Sequence, residues 1–347
     1  MDIKELTGFL REYDGDELNI MEVCGSHTAA IAKNGIPSIL SPRIHLISGP
    51  GCPVCVTASS YVDRLIELAL TEDKVIVTFG DLLRVPGSEM SLSQARSKGA
   101  RVEMVYSPMD TLKLAAESPD KEYVFAALGF ETTTPVYALL MEEIIEQKIE
   151  NIQLLTALKC MPPIIDRLLE QGAEVDGFLA PGHVCAVTGS EIFEPLAEKY
   201  GLPFIVSGFQ GVEILQSLYG LVQLQGRGIV KNFYPAVVTK KGNEQARCLI
   251  DKYFEPCDAS WRGMGLVKKS GLCLKKEYEA YDAGSRQLLE DVKHNKACQC
   301  EQILMGRKKP RDCSLFRKVC TPLNPQGACM VSEEGTCHAH FISGVLS

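Results

Sequence analysis

The chain has 347 residues, of which 46% are hydrophobic and 23% charged, and its formal net charge is −8. This length favours two or three domains with real cores. The acidic balance, with no basic stripe that stands out, argues against nucleic acid as a partner. No signal or transit peptide is visible, and no apolar stretch reaches the roughly 18 residues of a transmembrane helix, so we expect a soluble, cytoplasmic protein without a membrane partner.

The first elements along the chain are a short helix over 3–13 and a strand that begins at Leu18 and ends at Cys24. A helix-like run follows, and the backbone N–H groups at its start favour a thiolate at Cys24. Cys24 and His27 can reach one metal ion if the loop between them curves. The alternative is a helix start capped by Ser26, with His27 exposed.

A second cysteine motif, Gly49 to Cys55, follows the apolar run 44–47. The run predicts a buried strand, and the glycines and prolines predict its turn. Cys52 and Cys55 then lie at the carboxyl end of a strand and near a helix start. This C-x-x-C spacing is typical of redox chemistry and of soft metals, and the alternative is a rigid turn with two inert, buried thiols.

Strands and helices alternate from residue 44 to about 225, which predicts an α/β fold with parallel sheets. The predicted strands are 44–47, 75–78, 102–105, 123–128, 152–155, 177–180 and 203–206, and the helices lie at about 58–70, 91–98, 110–117, 134–148, 161–171, 189–199 and 210–224. An apolar strand followed by glycine and an acid occurs at both Val75 to Asp81 and Phe125 to Glu131. We therefore expect two similar small sheets rather than one large one.

Several of these strands end in polar, glycine-bearing loops, and ligands bind beyond the carboxyl ends of strands in open α/β sheets. We expect such loops at 80–81, 129–134, 181–183 and 207–211 to face one cleft. The threonine hydroxyls that follow Glu131 either cap the next helix or bind a polar or anionic ligand. His183 either lines the cleft or bonds a neighbouring backbone group.

The alternation fails after residue 226. Trp261 to Gly265 and Ser270 to Leu272 resemble glycine-rich loops, and a polar helix is predicted over 276–293. The chain contains no P-loop, no G-x-G-x-x-G after a strand and no G-x-S-x-G, so nucleotide chemistry is not supported.

Fourteen cysteines are many for a chain expected in a reducing cytoplasm, where they favour metal, cluster or redox chemistry over a disulfide framework. Six crowd an irregular tail: Cys298, Cys300, Cys313, Cys320, Cys329 and Cys337. The four at 298, 313, 320 and 337 suit [4Fe–4S], [2Fe–2S] or zinc. Their wide spacing differs from the paired knuckles of a zinc ribbon and favours a cluster. Cys300 remains an alternative first ligand, and the role of Cys329 stays open.

Several motifs together resemble the hydrogenase maturation protein HypD family, over nearly the whole chain. They are Cys24 to Thr28, Gly49 to Cys55, Gly129 to Thr133, Pro181 to Val184, Trp261 to Gly263, Ser270 to Leu272 and Met330 to Cys337. The four-cysteine spacing of the tail also matches that family's pattern.

The resemblance implies two similar small parallel-sheet α/β domains, at 41–122 and 123–228. A third, irregular cysteine-rich iron–sulfur domain would come from both termini, 1–40 and 229–347. It also implies that the following residues form the site: Cys24 as iron ligand with His27 beside it, Cys52 and Cys55 as redox thiols, Glu131, Thr132, Thr133 and His183 lining the cleft, and Cys298, Cys313, Cys320 and Cys337 holding a [4Fe–4S] cluster.

The function implied is that of a scaffold more than an enzyme. With a small HypC-type partner it would hold the iron that becomes Fe(CN)2(CO), while a HypE-type partner delivers cyanide. Two positions depart from the family pattern: Ala29 stands where a second histidine is usual, and Cys185 stands where serine is usual. The alternative function is a free-standing iron–sulfur thiol–disulfide oxidoreductase that uses Cys52 and Cys55.

Overall fold

Two sheets organise the chain in the computed structural model, which describes residues 2–71, 73–288, 291 and 295–344. The strands are β1 Leu18–Glu22, β2 Ile44–Ser48, β3 Val75–Thr78, β4 Val102–Met104, β5 Tyr123–Gly129, β6 Ile152–Lys159, β7 Gly177–Pro181, β8 Phe204–Ser207, β9 Val230–Asn232, β10 Phe254–Trp261 and β11 Gly265–Leu274. All seven strands predicted between residues 44 and 225 are confirmed.

The α-helices surround these sheets and the cysteine-rich tail. They are α1 Ile3–Glu12, α2 Gly25–Lys33, α3 Pro53–Val56, α4 Ser59–Thr71, α5 Leu92–Arg96, α6 Asp110–Glu117, α7 Thr134–Glu146, α8 Met161–Glu170, α9 Gly182–Thr188, α10 Glu194–Tyr200, α11 Gly211–Gln223, α12 Glu244–Tyr253, α13 Cys300–Leu304 and α14 Thr336–Ser343. In the residues that the structure describes, no helix has the length and apolar character needed to cross a membrane.

The first sheet has the order β2-β1-β7-β8-β9, and all of its strands are parallel. The second has the order β10-β11-β6-β5-β3-β4, in which β3 to β6 are parallel and β10 and β11 are antiparallel. The fold class is therefore mixed α/β, with one parallel sheet, a second sheet whose β3 to β6 core is parallel, and a cysteine-rich tail; the α/β class is the one that the sequence predicts.

The two sheets do not correspond to the domains that were predicted at 41–122, at 123–228 and from the two termini. β1 lies inside the first sheet, between β2 and β7, and β10 and β11 extend the second sheet. The chain thus passes from the first sheet to the second and back again. Hydrophobic periodicity identifies each strand but does not specify its neighbour, because register and pairing depend on packing between distant segments.

The region after residue 226 departs most from prediction. Trp261 to Gly265 and Ser270 to Leu272 are not isolated loops, because they belong to the long β10–β11 hairpin. The predicted polar helix over 276–293 is replaced by two 3-10 turns, Lys276–Tyr281 and Ser285–Gln287, and its positions 289–290 and 292–294 lie outside the described residues. Glycines in β10 and β11 resemble loop glycines when the partner strand is unknown.

The core that matters for function joins both sheets to the tail. One buried cluster contains Val54, Leu155 and Phe178 together with Ile303 and Met330 of the cysteine-rich segment. The tail as a whole has little apolar surface of its own, and its buried side chains pack against the two sheets.

Candidate functional site

Two loops leave the first sheet side by side because β1 and β2 are paired in parallel register, from Leu18 opposite Ile44 to Glu22 opposite Ser48. One loop carries Cys24, and the other is the Gly49 to Cys55 motif. The Gly49 N–H donates to the Glu22 carbonyl at 2.8 Å, and the Gly25 N–H donates to the Gly51 carbonyl at 2.9 Å. The two motifs that are distant in sequence thus form one structure.

Cys24 occupies the N-cap of α2, where Ser26 was one expected cap, and is 8% exposed. Burial raises the pKa of its thiol to about 12, although the N–H groups of Ser26 and His27 act in the opposite direction. The expected thiolate at this helix start is therefore wrong for the metal-free chain, since desolvation outweighs the helix terminus. A bound cation would reverse that balance.

A buried carboxyl that the sequence analysis missed lies beneath the thiol. Glu22, at the end of β1, accepts a hydrogen bond from the Cys24 N–H at 3.1 Å and another from the Thr28 hydroxyl. Burial raises the pKa of this carboxyl to about 8. An acid that ends an apolar strand just before a cysteine is the signal that could have identified it.

His27 is fully buried, which excludes the exposed alternative. Its Nε2 lies 3.0 Å from the Gly208 carbonyl, and its Nδ1 has no hydrogen-bond partner among the described residues. Burial lowers the pKa of His27 to about 4, so the ring is neutral. The Phe209 ring stacks on His27 at 4.6 Å and on the exposed His183 at 3.9 Å between centroids, and so brings the loops after β1, β7 and β8 together.

Cys52 and Cys55 form a disulfide with their Cα atoms 5.3 Å apart, and the residues are only 3% and 0% exposed. Cys52 is the N-cap of the short helix α3, and Pro53 provides its first turn. The pair is therefore a buried disulfide next to Cys24.

The cysteine-rich tail covers the Cys24 loop. Ser26 Oγ donates to Glu334 Oε1 at 2.6 Å, and a side chain at Gly25 would stand 2.5 Å from Glu334 Cβ. Although His183 is exposed, partial desolvation of its ring lowers its pKa, and the charge of Glu334 acts against that shift. Glu334 is thus a second acid at this site that sequence reasoning missed; its signal is a pair of adjacent acids, Glu333 and Glu334, the second of which stands three residues before Cys337.

Glu131 approaches from the second sheet. It is buried, its Oε1 accepts from the Met161 N–H at 2.8 Å, and its Oε2 has no hydrogen-bond partner among the described residues. Burial raises the pKa of this carboxyl to about 7. Burial also raises the pKa of the Cys185 thiol, and the charges of Glu131 and Cys24 add to that effect.

The threonines after Glu131 do not cap α7, which corrects one of the two expectations. The hydroxyls of Thr133 and Thr134 donate back to the Phe130 carbonyl at 3.2 and 3.0 Å, and the N-cap Thr133 makes no side-chain cap bond. Thr132 is partly exposed at the same helix start. Glycine is required at position 129, where φ is +159° and a side chain would meet Thr133 Oγ1.

The four tail cysteines predicted to hold a cluster line one cavity, with Ile303, Leu315, Phe316 and Met330 as apolar walls. Burial raises the pKa of Cys337, and the charges of Cys298, Cys320 and Cys313 add to that effect, in that order. The Gln326 N–H lies 3.4 Å from the Cys320 sulfur. Gly327 leaves open the space next to Cys298, because a Cβ there would stand 2.5 Å from its Sγ.

The residues around this cavity are chemically compatible with an iron–sulfur cluster. In the part of the chain that the structure describes, no three His, Cys, Asp or Glu side chains are arranged to hold one metal ion. Four thiols around an apolar cavity with backbone N–H groups directed at sulfur are the donor set of a cluster. Cys300 is bonded to Cys329 as a disulfide, with Cα atoms 6.3 Å apart, which leaves Cys298 as the free thiol of the two candidates.

The two disulfides lie close together. Cys55 Sγ is 3.9 Å from the carbonyl of Ala328, the residue before Cys329, and both Cys300 and Cys329 line the four-cysteine cavity. Sulfur atoms therefore extend from the cavity through Cys300–Cys329 and Cys52–Cys55 towards Cys24.

The fold and this arrangement define an α/β protein whose candidate site consists mainly of buried cysteine side chains. A family model named HypD, described as "Hydrogenase formation hypA family", matches residues 3–344. The hydrogenase maturation factor HypD of Cupriavidus necator is 41% identical over 343 residues, covering 95% of this chain and 90% of that protein. HypD of Azotobacter vinelandii and the hydrogenase expression/formation protein HupD of Azotobacter chroococcum are each 42% identical over 340 residues, covering 94% of this chain and 90% of each protein.

The chain therefore belongs to the HypD family, and its role lies in hydrogenase maturation. The resemblance inferred from the motifs is confirmed. Similarity over the whole chain assigns no role to an individual residue, and those roles are argued from the geometry of the site.

Proposed function

We propose that this chain is the scaffold on which the Fe(CN)2(CO) centre of a [NiFe]-hydrogenase is assembled, with Cys24 as the protein ligand of the iron. The observation that carries the proposal is the contact between the Gly51 and Cys24 loops, because it places a buried disulfide next to a buried thiol. A thiolate is a soft donor suited to low-spin iron with carbon ligands. His27, with Nδ1 unpartnered among the described residues, is the second donor at that position.

The iron is cargo that has to be received and passed on. A HypC-type small partner would hold it jointly with Cys24, and a HypE-type partner would deliver cyanide. His183 is exposed, so such a partner could contact it, and the His27 ring stays neutral near pH 7 because burial lowers its pKa to about 4. Because Glu131 and Glu22 are both buried acids with raised pKa values, each can hold a proton near neutral pH.

Cys298, Cys313, Cys320 and Cys337 would hold a [4Fe–4S] cluster, which supplies single electrons when bound. Reduction of the Cys300–Cys329 disulfide takes up two electrons and two protons and gives two thiols. Exchange of that dithiol with the Cys52–Cys55 disulfide then forms the Cys300–Cys329 disulfide again. It leaves Cys52 and Cys55 as two thiols next to Cys24. Ala328 and Cys55, in contact, mark the point where this exchange would occur.

The alternative function is a free-standing thiol–disulfide oxidoreductase. Exchange with a soluble disulfide requires an accessible sulfur. Cys52 and Cys55 are 3% and 0% exposed, so their burial weighs against this alternative.

The test is infrared spectroscopy and iron analysis of the chain purified without oxygen together with its small partner. We expect CN and CO bands in the wild type and their loss in Cys24→Ala, with the tail-bound iron retained. Cys248→Ser, at an exposed free cysteine on α12, is the matched control and should keep the bands. Unchanged CN and CO bands in Cys24→Ala would exclude Cys24 as the ligand.

A further inference from the structure

A basic surface surrounds two of the four tail cysteines, although the whole chain carries 44 acidic and 36 basic residues. Residues 307–318 contain six cationic side chains and one carboxylate, Asp312. All six cations are exposed: Arg307, Lys308, Lys309, Arg311, Arg317 and Lys318. The net charge of the whole chain is negative, so it does not indicate this local excess of positive charge.

Three of these cations lie near one side chain of the tail, His340. Burial lowers the pKa of His340 on α14, and the charges of Lys309, Arg311 and Arg317 add to that effect. Arg317 donates to the carbonyls of His340 and Phe341 at 3.3 and 3.0 Å, which are neutral partners. Among the described residues, none of the six forms an ion pair with a carboxylate.

The same surface has an apolar part. Leu323 is 96% exposed and Val319 is 51% exposed. Val319 precedes Cys320, whose N–H donates to the Leu315 carbonyl at 2.9 Å and whose carbonyl accepts from the Arg317 N–H at 3.2 Å. The loop that presents the cations therefore also fixes two of the cavity thiols, Cys313 and Cys320.

We propose that the surface formed by Arg307–Lys309, Arg311, Arg317, Lys318, Val319 and Leu323 docks a small acidic iron–sulfur electron carrier. This inference rests on the proposed cluster, because it names the source of its electrons. Complementary charge steers such encounters, and a small apolar contact with a polar rim gives the weak, short-lived binding that electron carriers need. With a cluster held by the four cavity cysteines, the reduced carrier would give up one electron to it and leave oxidised.

Nucleic acid is the other class of polyanion that a basic surface can bind. The exposed leucine and valine beside the thiols favour a protein, because nucleic acid contacts made through phosphate need no apolar centre. Duplex DNA is therefore included in the test as a competing ligand.

The test uses Arg311→Glu/Lys318→Glu, since neither side chain makes a hydrogen bond to another described residue. Lys98→Glu/Lys268→Glu changes the net charge equally at exposed positions outside the basic surface. Two quantities are measured: the affinity of the chain for an oxidised plant-type [2Fe–2S] carrier, by fluorescence anisotropy, and the rate at which the reduced carrier reduces the loaded chain, by stopped-flow absorbance.

We expect the Arg311/Lys318 variant to lose about tenfold in both affinity and rate at low salt, while the control variant stays close to wild type. The wild-type rate should fall as salt rises. Photoreduction by a small deazaflavin should reduce all three proteins equally. If iron and cluster absorption are missing before any carrier is added, the proposed cluster itself fails. Equal affinity and equal rate in the two variants, or salt-sensitive binding of duplex DNA but not of the carrier, would overturn the docking surface.

Discussion

Gly51 lies against the backbone of Cys24, so closely that a Cβ at position 51 would stand 2.5 Å from the Cys24 Cα. The hydrogen bond from the Gly25 N–H to the Gly51 carbonyl fixes the same contact. Glycine is therefore needed here for close approach rather than for an unusual φ. The relative position of the Cys52–Cys55 disulfide and the Cys24 thiol depends on this one contact.

Gly51→Ala tests that dependence. We expect the added methyl group to displace the Gly49 to Cys55 loop, to lower the free energy of unfolding by about 1–3 kcal/mol, and to abolish the CN and CO bands. Iron held by the tail cysteines should remain. Gly8→Ala is the control, because Gly8 lies in α1 and a Cβ added there would have no described atom within 4 Å; it should raise stability by about 0.5–1 kcal/mol. A Gly51→Ala protein with normal bands would show that the two loops need not be in contact.

The sequence predicts the two loops that make this contact, although not the contact itself. The apolar runs of β1 and β2 and the glycines after them predict two strands that end in cysteine loops. The sequence also predicts the four cavity cysteines, because six cysteines in an irregular tail favour metal, cluster or redox chemistry. It does not predict that β1 and β2 are neighbours, that Cys300 pairs with Cys329, or that Glu334 bonds Ser26. Each of these depends on contacts between segments far apart in the chain, which local periodicity does not encode.

Burial explains the remaining differences. A helix start favours a thiolate only while the thiol is hydrated, and Cys24 is not. His27 was expected to be either exposed or a ligand, and its full burial against Phe209 could not be inferred from a loop motif. In both cases the local motif draws attention to the residue, and the surrounding packing determines its protonation state.

The disulfide between Cys300 and Cys329 leads to a redox prediction. In Cys300→Ser we expect normal iron content, because Cys298 remains to hold the cluster, but a Cys52–Cys55 disulfide that stays oxidised when the protein is supplied with electrons. Differential alkylation followed by mass spectrometry measures the thiol state of each cysteine. Cys248→Ser should behave as the wild type. Loss of iron in Cys300→Ser would instead make Cys300 a cluster ligand.

The raised pKa of Glu131 predicts a pH-dependent stability. Its ordinary value is 4.5, and burial raises the pKa to about 7. Between these values the folded chain holds a proton that the unfolded chain has lost, so this carboxyl lowers stability as pH rises through that range. The full effect is on the order of 3 kcal/mol and is constant above it.

Glu131→Gln removes the titration while keeping an oxygen that can accept from the Met161 N–H. Denaturant unfolding at several pH values should show the stability difference, wild type minus variant, falling from pH 4.5 to pH 7. Glu150→Gln, at an exposed carboxylate, should follow the wild-type curve. Parallel curves for Glu131→Gln and wild type would mean that folding does not raise the pKa of Glu131.

Gly327 leads to the last prediction, which concerns the cavity. Its φ is extended, as any residue allows, so substitution acts only through the added methyl group, 2.5 Å from the Cys298 sulfur. Gly327→Ala keeps the backbone N–H that points at Cys320 and removes only the space. We therefore expect reduced iron content after anaerobic reconstitution, with a fold unchanged by circular dichroism. Ser314→Ala, next to Cys313 and exposed, should bind iron as the wild type does. Equal iron in Gly327→Ala would show that the cluster does not occupy the space beside Cys298, and would place its fourth ligand elsewhere in the tail.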